Sequence, residues 1–264
     1  MTSRPIASIA CALAALLAAP AAAQDRDERP RRVRVGLGPQ IVPSYPGSDR
    51  VVVRPFTDVS RARGDDPFAF EAADESFGFS VLRRGDFSVG PALNFEGSRT
   101  KRDLGADLPK VGASFEAGAF MQYQLRPDLR LRVEGRKGLT GHQGWVGLLG
   151  ADYVARRGDD WLLAIGPRLT LADGRFHRAY FGVGPEDAAA SGLPAFRAKG
   201  GVQAVGATAS FLRQLTRRWG LSSYARYDRL VADAARSPVT RSLGSRNQFS
   251  VGLAATYTFG RAVD

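Results

Sequence analysis

FSVGLAATYTF, residues 249–259, shows the clearest structural pattern in this sequence. Its odd-numbered positions hold Phe, Val, Leu, Ala, Tyr and Phe, and its even-numbered positions hold Ser, Gly, Ala, Thr and Thr. A β-strand places alternate side chains on opposite faces. The stretch therefore predicts a strand with one apolar face and one face of small, mostly polar side chains.

The same alternation recurs along the chain. It is clear around residues 87–95, 111–123, 129–134, 161–171 and 219–228, and weaker around residues 33–42, 51–58, 67–73, 77–81, 145–153 and 202–213. Together with residues 249–259, these segments predict about twelve strands. The sequence therefore indicates an all-β protein.

Charged side chains occupy the polar face deep inside several of these strands. We predict that seven of them line the lumen of a barrel: Glu116, Arg130, Arg132, Glu134, Arg168, Arg226 and Asp228. A soluble sandwich or lipocalin-like barrel also alternates and turns its polar face to water, so alternation alone leaves that exported fold open.

The connections and the aromatic residues favour a membrane barrel. Short connections at residues 83–86, 126–128, 156–160 and 214–218 alternate with long ones at 97–109, 173–198 and 231–246. Aromatic side chains stand at both ends of the predicted strands, as membrane interfaces favour. We predict a transmembrane antiparallel up-and-down β-barrel of 10–12 strands, with short periplasmic turns and longer external loops.

The first residues predict export. Arg4 precedes an apolar run over residues 6–19, and Ala21-Ala22-Ala23 offers a cleavage site of small residues. We expect residues 1–23 to be a cleaved signal peptide, residues 24–32 a charged periplasmic tail, and residues 33–264 a barrel in the cell outer membrane. Outer-membrane lipid and the barrel-assembly machinery are then expected partners.

Composition excludes several classes of function. The 37 Lys and Arg residues exceed the 26 Asp and Glu residues, but the cations are spread along the chain instead of forming the patch that nucleic acid requires. One Cys and two His leave little material for metal or thiol chemistry. We assign no cofactor, no metal and no catalytic residue, and interpret His142 and His177 as loop residues.

Several short motifs resemble those of one family. They are Pro43-Ser44-Tyr45-Pro46-Gly47-Ser48-Asp49, Tyr180-Phe181-Gly182-Val183, Ala190-Ser191-Gly192-Leu193, Gly200-Gly201, Ser237-Pro238, Gly244-Ser245 and Asn247-Gln248-Phe249. In this order and spacing they resemble the MltA-interacting protein (MipA)/OmpV family of Gram-negative outer-membrane proteins. The five residues after Phe259 depart from the usual aromatic C-terminus of such barrels.

This resemblance implies a non-catalytic scaffold that links the outer membrane to peptidoglycan synthesis and turnover, with a lytic transglycosylase and a murein synthase as partners. A narrow channel or small-molecule-binding barrel is the alternative, and a barrel enzyme is a third hypothesis. In the long connection at residues 173–198, Tyr180, Phe181 and Leu193 are apolar. We expect this loop to fold inward, because an exposed apolar patch is unfavourable in water.

Overall fold

The computed structural model describes residues 29–260, and the twelve strands within them form one antiparallel sheet. Residues 1–23 and most of the predicted tail lie outside the described residues. The strands are β1 Arg31–Pro43, β2 Val51–Arg63, β3 Phe77–Gly78, β4 Leu82–Arg84, β5 Phe87–Glu96, β6 Ser114–Arg126, β7 Leu129–Gly138, β8 Trp145–Arg157, β9 Trp161–Ala172, β10 Gly201–Gln214, β11 Trp219–Leu230 and β12 Asn247–Phe259.

Five short helices lie in the long connections. They are α1 Lys101–Leu104, α2 Gly174–Phe181, α3 Pro185–Ser191, α4 Ala232–Arg236 and α5 Pro238–Leu243. None of the helices within residues 29–260 is long and apolar enough to cross a membrane.

Neighbours in the sheet follow the order β2-β1-β12-β11-β10-β9-β8-β7-β6-β5-β3, and β4 also pairs with β5. Because β1 and β12 pair, the first long strand and the last strand lie side by side. The short turns lie at one end of the sheet, here called the turn end. The long connections lie at the other, here called the loop end.

The two faces of the curled sheet have opposite character. On β7, Leu131 and Val133 are 38% and 45% exposed on the outer face, whereas Arg130, Arg132 and Glu134 are buried on the inner face. A water-soluble protein would reverse this arrangement, because burying charge in place of apolar groups is unfavourable in water. An apolar exterior around a polar interior is the design of a transmembrane β-barrel, so the predicted fold class is confirmed.

Aromatic side chains mark both ends of the apolar surface. At the turn end, the rings of Trp219 and Tyr257 meet edge to face with their centroids 4.9 Å apart. At the loop end, the ring centroids of Tyr227 and Phe249 are 4.8 Å apart, and Trp145 is exposed on the outer face. Amphipathic rings in these two bands fit the polar interfaces of a bilayer.

One predicted strand is wrong. Residues 67–73 alternate in sequence, but they form no strand; they belong to a segment, residues 64–76, that runs inside the barrel from the turn end toward the loop end. We call it the inner segment. At its start, Phe68 lies under Arg32 and Arg34, and farther along Asp74 bonds Arg168 in the middle of β9. Contacts with the barrel wall set the position of the inner segment. These contacts cannot be predicted from the alternation of residues within the segment itself.

Several strand boundaries also differ from the sequence pattern, among them the starts of β1 and β6. β1 begins at Arg31, two residues earlier than expected, and its second residue, Arg32, bonds Asp159 at 3.1 Å. β6 begins at Ser114 instead of residue 111. Val111 forms an isolated bridge with Arg99 in the β5–β6 connection, which draws it into the packing at the loop end.

The connections at the loop end pack together as a cap. Its apolar core contains Leu104 after β5, Phe176, Tyr180 and Phe181 of α2, and Val239 of α5, all of them buried. Burying this many apolar side chains stabilises connections that share little regular structure. The loop at residues 173–200 thus folds inward onto the barrel.

The outer face gives a direct test of the barrel. We expect Val133→Arg, which puts a charge midway along β7 on the lipid side, to lower the free energy of unfolding in lipid by about 2–4 kcal/mol. Urea unfolding of the mature barrel in vesicles would measure this loss.

Leu129→Arg is the matched control, because Leu129 lies on the same strand at the turn end. An arginine at that interface should cost at most about 1 kcal/mol. Equal losses for the two variants would contradict a membrane-spanning outer face.

Candidate functional site

The interior of the barrel holds a connected set of ion pairs between the wall and the inner segment. Arg130 binds Glu75 of the inner segment and Asp152 of β8, the latter at 2.6 Å. Asp152 also accepts a hydrogen bond from Arg168 at 2.7 Å, and Arg168 binds Asp74 at 2.7 Å. All these side chains are at most 5% exposed. Each buried charge is therefore compensated by an opposite one, as burial requires.

The set continues onto β11. Asp74 also binds Arg226 at 3.2 Å, and Arg226 donates to Asp228 at 2.6 Å. Asp74 therefore lies between arginines from two strands, β9 and β11. One carboxylate from the inner segment connects two parts of the wall.

On the other side, the set continues across β7 to β6. Arg132 donates to Glu134 at 2.9 Å, Glu134 also pairs with Arg136, and Arg136 donates to Glu116 at 2.8 Å. The guanidinium of Arg132 lies 3.8 Å above the ring of Phe120. Opposite charges alternate along this path, so it has no surplus of one sign that would select one ion.

His142 closes the network at the loop end. Its Nε2 lies 2.8 Å from Glu116, and its Nδ1 accepts a hydrogen bond from the backbone N–H of Gly144 at 3.0 Å. Because Nδ1 is an acceptor, the ring proton lies on Nε2 and is donated to Glu116. The ring also packs edge to face on Phe176. The partner of His142 could not be identified from the sequence, because Glu116 is 26 residues away.

The structure places all seven sequence-predicted lumen residues on the inner face. Of these, Glu116, Arg130, Arg132, Glu134 and Arg168 are buried, and Arg226 and Asp228 are half-buried. Their functional role remains a prediction. The sequence missed Asp74, Glu75 and Asp152. Asp152 precedes outward-facing Tyr153 and could have been found from the phase of β8, but no pattern placed Asp74 and Glu75 inside the barrel.

The three apolar loop residues lie in the cap. Tyr180 and Phe181 are fully buried, and Leu193 is half-buried against the same core. Arg99 donates to the backbone carbonyl of Tyr180 at 2.7 Å and lies 5.7 Å from its ring. Burial raises the pKa of the Tyr180 hydroxyl, because the phenolate would lose its hydration.

The second histidine is also in the cap. His177 is buried, and its Nδ1 is bonded to the backbone carbonyl of Lys199. Burial lowers the pKa of His177, because the charged imidazolium is poorly solvated there. His177 is therefore a neutral side chain of the cap. Its ring packs edge to face on Phe181, with the ring centroids 5.6 Å apart.

A cavity of about 290 Å³ opens at the turn end between the inner segment and the walls of β4 to β8. Phe68 and Phe70 form its apolar side, and Arg83, Gln122 and Arg156 form part of its polar side. Within residues 29–260 no cluster of His, Cys, Asp or Glu has an arrangement that could hold a metal ion. The interior thus offers a partly filled polar lumen.

A family model described as MltA-interacting protein MipA matches residues 35–259, which include nearly every strand of the barrel. The chain belongs to this family. Membership of the MipA family and the apolar exterior of the barrel together support an outer-membrane β-barrel. Among curated proteins, no match to the chain is found.

Solved structures similar to this family member are outer-membrane proteins. An outer-membrane channel from Pseudomonas putida F1 is 10% identical, with a TM-score of 0.36, and covers 90% of this chain and 100% of its own. The NanC porin is 10% identical, with a TM-score of 0.36 and coverages of 86% and 98%. A bacterial polysaccharide outer membrane secretin is 10% identical, with a TM-score of 0.41 and coverages of 87% and 98%.

The buried network predicts a large effect of removing one shared acid. Asp152→Asn removes one of the two carboxylate partners of Arg130 and one of the two of Arg168. We therefore expect the free energy of unfolding to fall by about 3–5 kcal/mol. Chemical unfolding of the refolded barrel in detergent or lipid would measure it.

Asp128→Asn is the control, because Asp128 pairs with Arg126 on an exposed turn at 3.2 Å. Such exposed pairs contribute at most about 1 kcal/mol. If Asp152→Asn were as mild as the control, the interior ion pairs would not be a main source of stability.

Proposed function

We propose that this protein is a non-catalytic scaffold or interaction barrel of the outer membrane that binds enzymes of peptidoglycan turnover and synthesis. The observation that carries the proposal is the match of residues 35–259 to a family named for interaction with MltA, a lytic transglycosylase. A lytic transglycosylase is therefore the first partner to test, and a murein synthase is the second.

We infer that the turn end faces the periplasm, since bacterial barrels have short periplasmic turns and longer external loops. Cleavage of a signal peptide over residues 1–23 belongs to the same proposal. It leaves residues 24–32 as the expected charged periplasmic tail and residues 33–264 as the expected barrel, with β1 starting two residues earlier, at Arg31. A partner anchored in the periplasm would meet this end first.

Exposed arginines ring the turn end. Each of the four hairpin turns carries at least one of them: Arg84, Arg126, Arg157, Arg213 and Arg218. These side chains can bind lipid phosphates, and they also offer a basic surface to an acidic partner. The proposal assigns the contact with the murein enzyme to this arginine rim.

The interior supports an interaction role over a permanently open channel or an enzyme. Ion pairs and the inner segment occupy much of the lumen, and the cap packs on the loop end. Both histidines have structural hydrogen bonds, to Glu116 and to the carbonyl of Lys199. Binding at the rim needs neither an open lumen nor a reactive side chain.

A pull-down from solubilised envelopes tests the proposal. With the mature barrel as bait, we expect recovery of a lytic transglycosylase and a murein synthase. The triple variant Arg84→Glu, Arg157→Glu and Arg218→Glu should lower that recovery by about tenfold or more, because like charges would face an acidic partner.

The control variant reverses three exposed arginines at the loop end, Arg175, Arg197 and Arg241. It has the same net charge as the rim variant and should bind like the unmodified barrel. Recovery of neither enzyme by the unmodified barrel would overturn the scaffold proposal. Equal losses in both variants would overturn the assignment to the rim.

A further inference from the structure

The sheet has a seam where its two end strands face each other. β2 pairs only with β1, and β3 and β4 pair only with β5, so within residues 29–260 the outer edge of β2 has no strand partner. At the loop end the two sides are linked by Arg54 of β2 and Glu96 of β5, 3.5 Å apart. In lipid, unpaired backbone groups at a sheet edge are costly.

The direction of the strands shows what the seam lacks. Each neighbouring pair in the sheet is antiparallel, so strand direction alternates along the sheet. As a result, β2 at one edge and β3 and β4 at the other all run toward the turn end. An antiparallel wall needs a strand of opposite direction between them. The inner segment follows β2, precedes β3 and runs in that opposite direction, but it lies in the lumen.

The sequence of the inner segment fits the missing strand. Phe68, Phe70 and Ala72 alternate with Ala69 and Glu71, which gives one apolar face and one face of small or polar residues. We call residues 67–72 the arm. The arm contains enough residues to extend about 20 Å as a strand.

A turn that would join the arm to β3 is already formed. The backbone N–H of Glu75 donates to the carbonyl of Ala72 at 3.1 Å, which makes Ala73 and Asp74 the central residues of a β-turn. Extending that hairpin would place Phe70 opposite Phe77, and Phe68 opposite Phe79.

The partners of this hairpin lie on the lipid side. Phe77 and Phe79 are 52% and 46% exposed on the outside of the barrel. Residues directly opposite in a hairpin share a face, so Phe68 and Phe70 would join them there. Glu71 would face the lumen, opposite buried Ser76. A cavity of about 40 Å³, lined by Phe70, Glu71 and Gly78 among others, separates the arm from β3.

The two positions of the arm are stabilised by different interactions. In the lumen, Arg34 lies 4.6 Å from the ring of Phe68, and Arg130 lies 4.4 Å from the ring of Phe70. In the wall, the arm would lose these contacts but would satisfy backbone groups along both sides of the seam. Asp74 would stay in the turn, whereas Glu75, opposite Ala72, would share the outer face with Phe77 and would lose its pair with Arg130.

We propose that the barrel is a gated pore and that the arm is its gate. With the arm in the lumen, the arm and the ion pairs obstruct the interior. With the arm in the seam, the wall becomes a complete antiparallel barrel and the volume held by Phe68 and Phe70 becomes available to water. The pore takes small polar solutes and ions of either sign, because its lining alternates arginine with carboxylate. This activity goes beyond binding at the arginine rim.

Two disulfide locks that share one cysteine test the proposal. Both are made in a Cys11→Ser background, which removes the only native cysteine of the sequence. The lumen lock is Phe70→Cys with Val154→Cys, since Phe70 packs against the buried cluster that contains Val154. The wall lock is Phe70→Cys with Phe77→Cys, the pair that the extended hairpin places opposite each other.

The readout is conductance of each oxidised barrel in planar bilayers, before and after reduction. We expect steady conductance from the oxidised wall lock and no conductance from the oxidised lumen lock. After reduction, the two proteins should have the same conductance. Equal conductance of the two oxidised locks would overturn the proposal. Failure of the wall disulfide to form, where the lumen disulfide forms completely, would also overturn it.

A second variant needs no cysteine and covers the case in which Phe70→Cys does not fold. Asp74→Asn with Glu75→Gln weakens the contacts of the inner segment with Arg168 and Arg130. We expect more frequent openings than in the unmodified barrel, with Asp128→Asn as the unaffected control. Unchanged opening frequency in a folded double variant would contradict the gate.

Discussion

Ion pairs between the inner segment and the arginines of the wall hold the interior of the barrel together. Arg130 and Arg168 are almost completely buried, and each binds one carboxylate of the inner segment and one of β8. Without these acids, the barrel would enclose unpaired guanidinium groups at a high cost in desolvation. The inner segment therefore serves as a counter-ion for the wall, and its departure from the sheet leaves the seam beside β2.

The network also explains why the apolar residues lie where they do. Because charge fills much of the interior, most of the large apolar side chains of the strands face outward, and only lipid makes that arrangement favourable. The largest buried apolar core is in the cap, where Phe176, Tyr180 and Phe181 build it from the connections, and smaller clusters around Val154 and Phe56 lie inside the barrel. The barrel thus has a lipid-facing outside, a salt-bridged centre and the apolar cap at the loop end.

Much of the barrel could be predicted from the sequence, because alternation within one strand reports which side chains share a face. Arg130, Arg132 and Glu134 were placed inward for that reason, and the structure has them there. The partners of these residues could not be predicted. Asp74 and Arg168 are 94 residues apart, and their pairing depends on how the inner segment crosses the lumen.

The same limit explains the wrong strand. Residues 67–73 have the alternating pattern of a wall strand. Such a pattern shows that a segment can form a strand, but it does not show where the segment lies in the fold. Which position the segment occupies depends on competition between arginines in the lumen and backbone groups at the seam. His142 is a similar case, since its hydrogen bond to Glu116 joins a loop to a strand across 26 residues.

A double-mutant cycle between Asp74 and Arg168 measures how strongly the wall arginines hold the inner segment. The unfolding free energies of Asp74→Asn, Arg168→Gln and the double variant would be compared with that of the unmodified barrel in the same lipid. We expect a coupling energy of about 1–3 kcal/mol, because the two groups form one buried pair. Additive effects, within about 0.3–0.5 kcal/mol, would show that the inner segment is not held by the wall arginines.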